Sequence, residues 1–135
     1  MANKTYAKEW LTFAIKNLNT AILLHDANHY EDIIGVELQQ ALEKTFKSIL
    51  ANENIKIPKD HDLVKLYFMV EKNINIEEDE IIFLRLATDY YKEDRYPNPN
   101  YSLPSKGEIK EVLSFTQNFF DKVCRLLDIT KADLI

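Results

Sequence analysis

Apolar residues return at helical spacing along most of this chain. Ala7, Leu11, Ala14, Leu18 and Ala21 recur in an i, i+4, i+7 pattern, flanked by Trp10, Phe13 and Ile22. This predicts a long first helix ending near the polar run His-Asp-Ala-Asn-His at 25–29. A second helix is expected from about Tyr30 or Glu31, with Ile34, Leu38, Ala41, Leu42, Phe46 and Ile49 on one face. Pro58 and the asparagines of 52–60 break it. Leu63, Leu66, Tyr67 and Val70 mark a third segment, with Asp60 or Asp62 available as its N-cap. A fourth carries Phe83, Leu86, Ala87 and Tyr90 behind an acidic start suited to a helix N-terminus. Ser105 and Glu108 have capping-box spacing, and the final stripe runs through Ile109, Val112, Leu113, Thr116, Phe119, Phe120, Val123 and Leu127. No segment sustains period-two alternation. The expected fold is all-α, an antiparallel up-and-down helical bundle of four to five helices in one domain over 1–135.

Short connections make successive helices antiparallel. The end of the second helix, the start of the third, the end of the fourth and the start of the fifth are therefore expected at one pole. His61 and Arg95 would share it, with His25 and His29 at the other, unless the third and fourth segments stack end to end.

Composition narrows the function classes. An apolar fraction of 46% supports a real core, and two glycines argue against a turn-rich β fold. A net charge of −5 argues against general binding to phosphate backbones, without excluding a local basic site. Cys124 is the single cysteine, which leaves no intramolecular disulfide and no zinc-type cysteine pair. No apolar run approaches the ~20 residues that span a bilayer, so a soluble cytoplasmic protein that does not engage membranes is expected. Di-iron bundles need Glu-x-x-His pairs. Ile22, Asp26 and Pro58 stand three before the histidines, and His25 and His29 straddle a helix end. No metal and no cofactor is expected.

Three stretches carry candidate chemistry. In "QQALEKTFK", 39–47, Gln40, Lys44 and Lys47 share a helix face, and Glu43 stands four before Lys47, the favourable ion-pair order. That strip is either a solvated face or a polar surface turned toward a helix or a ligand. His61, at the start of the third helix, has an ordinary pKa near ~6.5 that suits acid–base work, yet more often such a residue packs or caps a turn. In "YYKEDRYPNPNY", 90–101, Pro97 forces Tyr96 out of helical geometry near Arg95. Arginine offers a planar fork for carboxylate or phosphate, and Tyr90, Tyr91, Tyr96 and Tyr101 offer rings for stacking. Alternatively, Arg95 bonds helix-end carbonyls and the tyrosines pack the rim. Glycine-rich phosphate loops, the Gly-x-Ser-x-Gly elbow and the Walker lysine are absent.

In order and spacing, Trp10, Ala14 and Leu18, then "QQALEKTFK", "HDL" at 61–63 and "RYP" at 95–97, the chain resembles the HEPN (higher eukaryotes and prokaryotes nucleotide-binding) domain family over nearly its whole length. The resemblance implies a small helical bundle, usually a homodimer, often encoded beside a minimal nucleotidyltransferase in a toxin–antitoxin pair. Many members are metal-independent ribonucleases in which an arginine is followed four to six residues later by a histidine, and dimerisation joins two such motifs. Here no histidine follows Arg95, Arg85 or Arg125 in that window, so the reading leans away from an enzyme. The expected ligand-binding residues are Arg95, Tyr96, His61, Lys44, Tyr91 and Tyr101, with a nucleotide or RNA as ligand. Two rivals stay open: a ribonuclease with a non-standard Arg95/His61 site, and a non-catalytic homodimeric interaction protein.

Overall fold

The computed structural model describes residues 2–91 and 103–134. Its helices are α1 (Lys4–Asp26), α2 (Glu31–Asn52), α3 (Leu63–Val70), α4 (Ile81–Tyr90) and α5 (Lys106–Leu127), with 3-10 turns at Glu78–Glu80 and Lys131–Leu134. The all-α bundle expected from the apolar stripes is the observed architecture, and no strand occurs among the described residues.

Local chemistry sets the helix ends. Asp62 caps α3 by accepting from the amides of Val64 and Lys65, and Ser105 caps α5 by accepting from Glu108 N. The Glu108 carboxylate does not close the box in return; it accepts the Tyr90 hydroxyl, tying α5 to the end of α4. The C-termini of α1, α2 and α5 share one device. Asn28, Asn54 and Asp128 sit in the left-handed region at φ 55°, 58° and 54°. Around each, paired bonds such as Asn54 N to Ala51 O and Ile55 N to Leu50 O reclaim the last carbonyls. Short polar side chains tolerate that geometry better than other non-glycine residues, so this glycine-poor chain still stops its long helices sharply.

α2 is the central helix. It buries Leu38, Leu42, Phe46 and Leu50 toward one side and Gln39, Glu43 and Lys47 toward another, so no broad face of its second half meets water. α1 lies antiparallel to it, with Asn3 N bonded to Asn52 O at the far end. α5 returns along the core from the α1–α2 turn, where Lys106 bonds Asn28, to the opposite pole, where Lys4 meets Asp128 at 3.6 Å.

The shared-pole expectation does not hold. After Asn54 the chain doubles back along α2 as an extended segment, with Ile55 and Ile57 packed against the core. α3 therefore starts beside the middle of α2, where Gln39 Nε2 donates to His61 O at 3.0 Å, and runs back toward Glu53, which accepts from Asn73. α4 then climbs until Tyr90 packs on Gly35, near the start of α2. The start of α5 consequently lies with the α1–α2 turn, not with the end of α2. His61 sits midway between the poles, and Arg95 lies outside the described residues. The reason is length: α3 has 8 residues and α4 has 10, each covering only half of the ~33 Å of α2.

Gly35 is where α4 comes closest. A β-carbon there would lie 2.8 Å from Tyr90 Cγ and 2.9 Å from Cδ2. Tyr90 is held at its hydroxyl by Glu108, so its ring has little room to yield. Gly35→Ala is therefore expected to destabilise the protein by about 1–2 kcal/mol, the overpacking cost outweighing the helix-propensity gain of ~1 kcal/mol. Urea unfolding checks this; an unchanged or raised midpoint would show that Tyr90 moves freely.

Candidate functional site

The middle of α2 carries a run of polar side chains that the core does not tolerate unpaired. Gln39, Glu43 and Lys47 stand one turn apart and are 0%, 5% and 5% exposed. Of the face read from the sequence, Lys47 is buried and Gln40 and Lys44 are half-buried, so it is not a fully solvated one. α1 covers one flank through Trp10, whose ring centroid lies 5.8 Å from Lys47 Nζ, and the returning segment before α3 covers the other.

Glu43 is the hub. Its Oε1 accepts from Gln39 Nε2 at 3.1 Å and from His61 Nδ1 at 2.7 Å, and its Oε2 accepts from Lys47 Nζ at 2.8 Å. Burial alone would push the Glu43 carboxyl up; the bonds from Lys47, His61 and Gln39 outweigh it and hold the group below the usual carboxylate range. Glu43 is therefore ionised near neutrality and can only accept, which places a proton on His61 Nδ1. In the neutral ring, Nε2 is then the acceptor nitrogen. Gln39 is fixed in turn: its amide donates to Glu43 and to His61 O, and its carbonyl accepts from Gln40 at 2.7 Å.

His61 sits at the edge of this network, its side chain 36% exposed. Tyr91, the first residue after α4, packs its ring 4.5 Å from the imidazole at 41°. Thr88 holds the two segments together by accepting from Leu63 N and donating to Leu84 O. On the other side of Gln40, Lys44 Nζ donates to Asn17 Oδ1 at 2.8 Å. Its pKa is lowered, chiefly by partial burial, with Glu43 and Glu37 opposing and Lys47 reinforcing the shift.

Of the residues singled out from the sequence, the structure brings His61 and Tyr91 into contact and sets Lys44 on the same helix as their anchor. Arg95, Tyr96 and Tyr101, with the Pro97 kink, lie outside the described residues. The sequence reading recognised Glu43 only as an ion-pair partner of Lys47. Its role beneath His61 was missed, although Gln39, Glu43 and Lys47 at i, i+4 and i+8 line up on one edge of the apolar stripe of α2. Among the described residues, no group of three His, Cys, Asp or Glu side chains is placed to hold a metal, and no helix is long and apolar enough to cross a membrane.

Comparison with known proteins agrees with this architecture. The crystal structure of TT1696 from Thermus thermophilus matches with a TM-score of 0.74 at 22% identity, covering 89% of this chain and 97% of that one. At that identity the likeness speaks to the fold. No curated protein sequence matches significantly. The model of the HEPN domain matches residues 7–127, spanning α1 through α5 and both flanks of the polar network. The chain belongs to the HEPN domain family.

Proposed function

We propose that this protein is a nucleotide- or RNA-binding HEPN module. The observation that carries the reading is the clamping of a partly exposed imidazole by a buried, ionised carboxylate. Burying a carboxylate with a lysine seldom improves stability over an apolar pair of similar volume. Glu43 and Lys47 are better understood as the support that orients His61 beside Tyr91. His61 and Lys44 would supply hydrogen bonds and positive charge to a phosphate, and Tyr91 a stacking surface. Arg95 follows Tyr91 by four residues in the sequence, and with Tyr96 and Tyr101 it completes the proposed binding set. The proposal includes a homodimer, in keeping with family membership, and, as its cellular setting, a minimal nucleotidyltransferase on a second chain in a toxin–antitoxin-type pair.

Titration of ATP and of a short RNA against wild type, His61→Ala, Lys44→Ala and Arg95→Ala tests the reading. Each lost charge-assisted contact is expected to weaken affinity roughly tenfold or more. Wild-type affinity in all three variants, or no binding by wild type, would remove it.

One observation favours a second, catalytic reading. Because Glu43 holds the proton on Nδ1, Nε2 of a neutral His61 is suited to accept a proton from a ribose 2′-hydroxyl. An RNA-cleavage assay separates the two readings. Cleavage lost in both His61→Ala and Arg95→Ala makes the protein a ribonuclease with a non-standard site; no cleavage with binding intact leaves a binding module.

A further inference from the structure

The outer edge of the polar network continues across α2 onto α1. Gln40 and Lys44 are half-buried on the strip of α2 between His61 and α1, and Lys44 reaches Asn17. One turn before Asn17, Phe13 is 55% exposed. Its ring centroid lies 5.8 Å from Lys16 Nζ and 6.0 Å from Lys44 Nζ. An exposed phenylalanine alone needs no explanation. This one has two ammonium groups beside it, and it ends a surface that begins at His61.

From this arrangement we infer that the strip from His61 through Gln40 and Lys44 to Phe13 and Lys16 is the track of a single-stranded nucleic acid, so that the ligand of the site is a strand of several nucleotides rather than a lone mononucleotide. The inference rests on the proposed function, since it extends the same site. Its chemistry is that of single-strand binders: an aromatic face for a base and cations for the flanking phosphates. A base pair inside a duplex has both faces covered by its neighbours, so the platform favours unpaired bases over the body of a duplex. The charge along the strip suits a polyanion. Glu43 is buried and paired with Lys47, and it and Glu37 are the acidic groups that act on Lys44 from the α2 side. Glu9 stands one turn before Phe13 on α1 and closes the strip at that end. The protein's net charge of −5 is consistent with a narrow track rather than a generally basic surface.

Affinities for hexauridine and for UMP, measured with wild type, Phe13→Ala, Lys16→Glu and His61→Ala, test the inference. Phe13 and Lys16 are exposed, so both variants should fold, and circular dichroism checks this. Phe13→Ala is expected to weaken hexauridine roughly tenfold and to leave UMP unchanged, as the loss of one stacking partner implies. Lys16→Glu is expected to weaken hexauridine similarly and to flatten its salt dependence. His61→Ala should weaken both ligands. Wild-type hexauridine affinity in Phe13→Ala and Lys16→Glu, with His61→Ala impaired, would overturn the track and leave the binding site standing. A reduced sedimenting mass in Phe13→Ala with unchanged RNA affinity would also overturn it, by making Phe13 an interface residue. If wild type binds neither ligand, the proposed function fails and the track fails with it.

Discussion

Glu43→Ala is expected to cost about 3–5 kcal/mol of folding stability, the range seen when one partner of a buried ion pair is removed. The variant leaves Lys47 with a side chain only 6% exposed and no carboxylate at 2.8 Å, and it leaves Gln39 and His61 short of their acceptor. In a domain of this size the melting temperature should fall by roughly 10 °C or more. The loss comes from stranding a charge, so a double variant, Glu43→Leu with Lys47→Met, should retain much more stability than Glu43→Leu alone. It should nevertheless bind nucleotide poorly, because the imidazole is no longer oriented. The pH dependence has a definite sign. Glu43 has a folded pKa below its ordinary 4.5, so its contribution is complete above that value and is lost as pH falls through the lower folded value. The stability gap between wild type and Glu43→Ala should therefore narrow only in acid, below about pH 4.5. Equal stability of the two proteins at pH 7 would mean that the network carries no weight.

The second large effect is expected at Phe46. Its side chain is fully buried and its ring lies 4.8 Å from Phe119 and 6.4 Å from Tyr67, so it joins α2, α5 and α3 at one point. Phe46→Ala should cost about 3–5 kcal/mol, the sum of lost transfer energy and the cavity left behind. Phe68 provides the internal control. It neighbours Tyr67 in the chain but is 61% exposed, and Phe68→Ala should change stability by no more than about 0.5 kcal/mol. Urea unfolding of both variants checks the pair; similar losses at the two positions would contradict the packing described here.

These expectations show which parts of the protein can be read from residue order. Helical periodicity located α1, α2 and α5 because each presents a long apolar stripe to a common core. The caps at Asp62 and Ser105 were legible because side-chain-to-amide bonds are local. The path between α2 and α3 was not. Pro58 and the asparagines announce a break, but nothing local says that an extended segment will double back along the helix it has just left. That choice depends on Ile55 and Ile57 finding the core. The site divides in the same way. The Glu43–Lys47 pair follows from i, i+4 spacing, whereas the approach of His61 requires the reversal, 18 positions away in the chain. The Arg95 corner, the strongest sequence signal, lies outside the described residues, and the binding experiments above carry its test.

The central place of α2 has a kinetic consequence. A helix flanked by α1, α3, α4 and α5 cannot dock last, because its site would have to stay open inside an otherwise finished bundle. The α1–α2 hairpin, which joins the most extensively packed pair of helices through a short turn, is the natural nucleus, with the later segments collapsing onto it. Amide protons of α2 should therefore exchange only through global opening, while those of α4, which touches α2 along half its length, escape through smaller excursions.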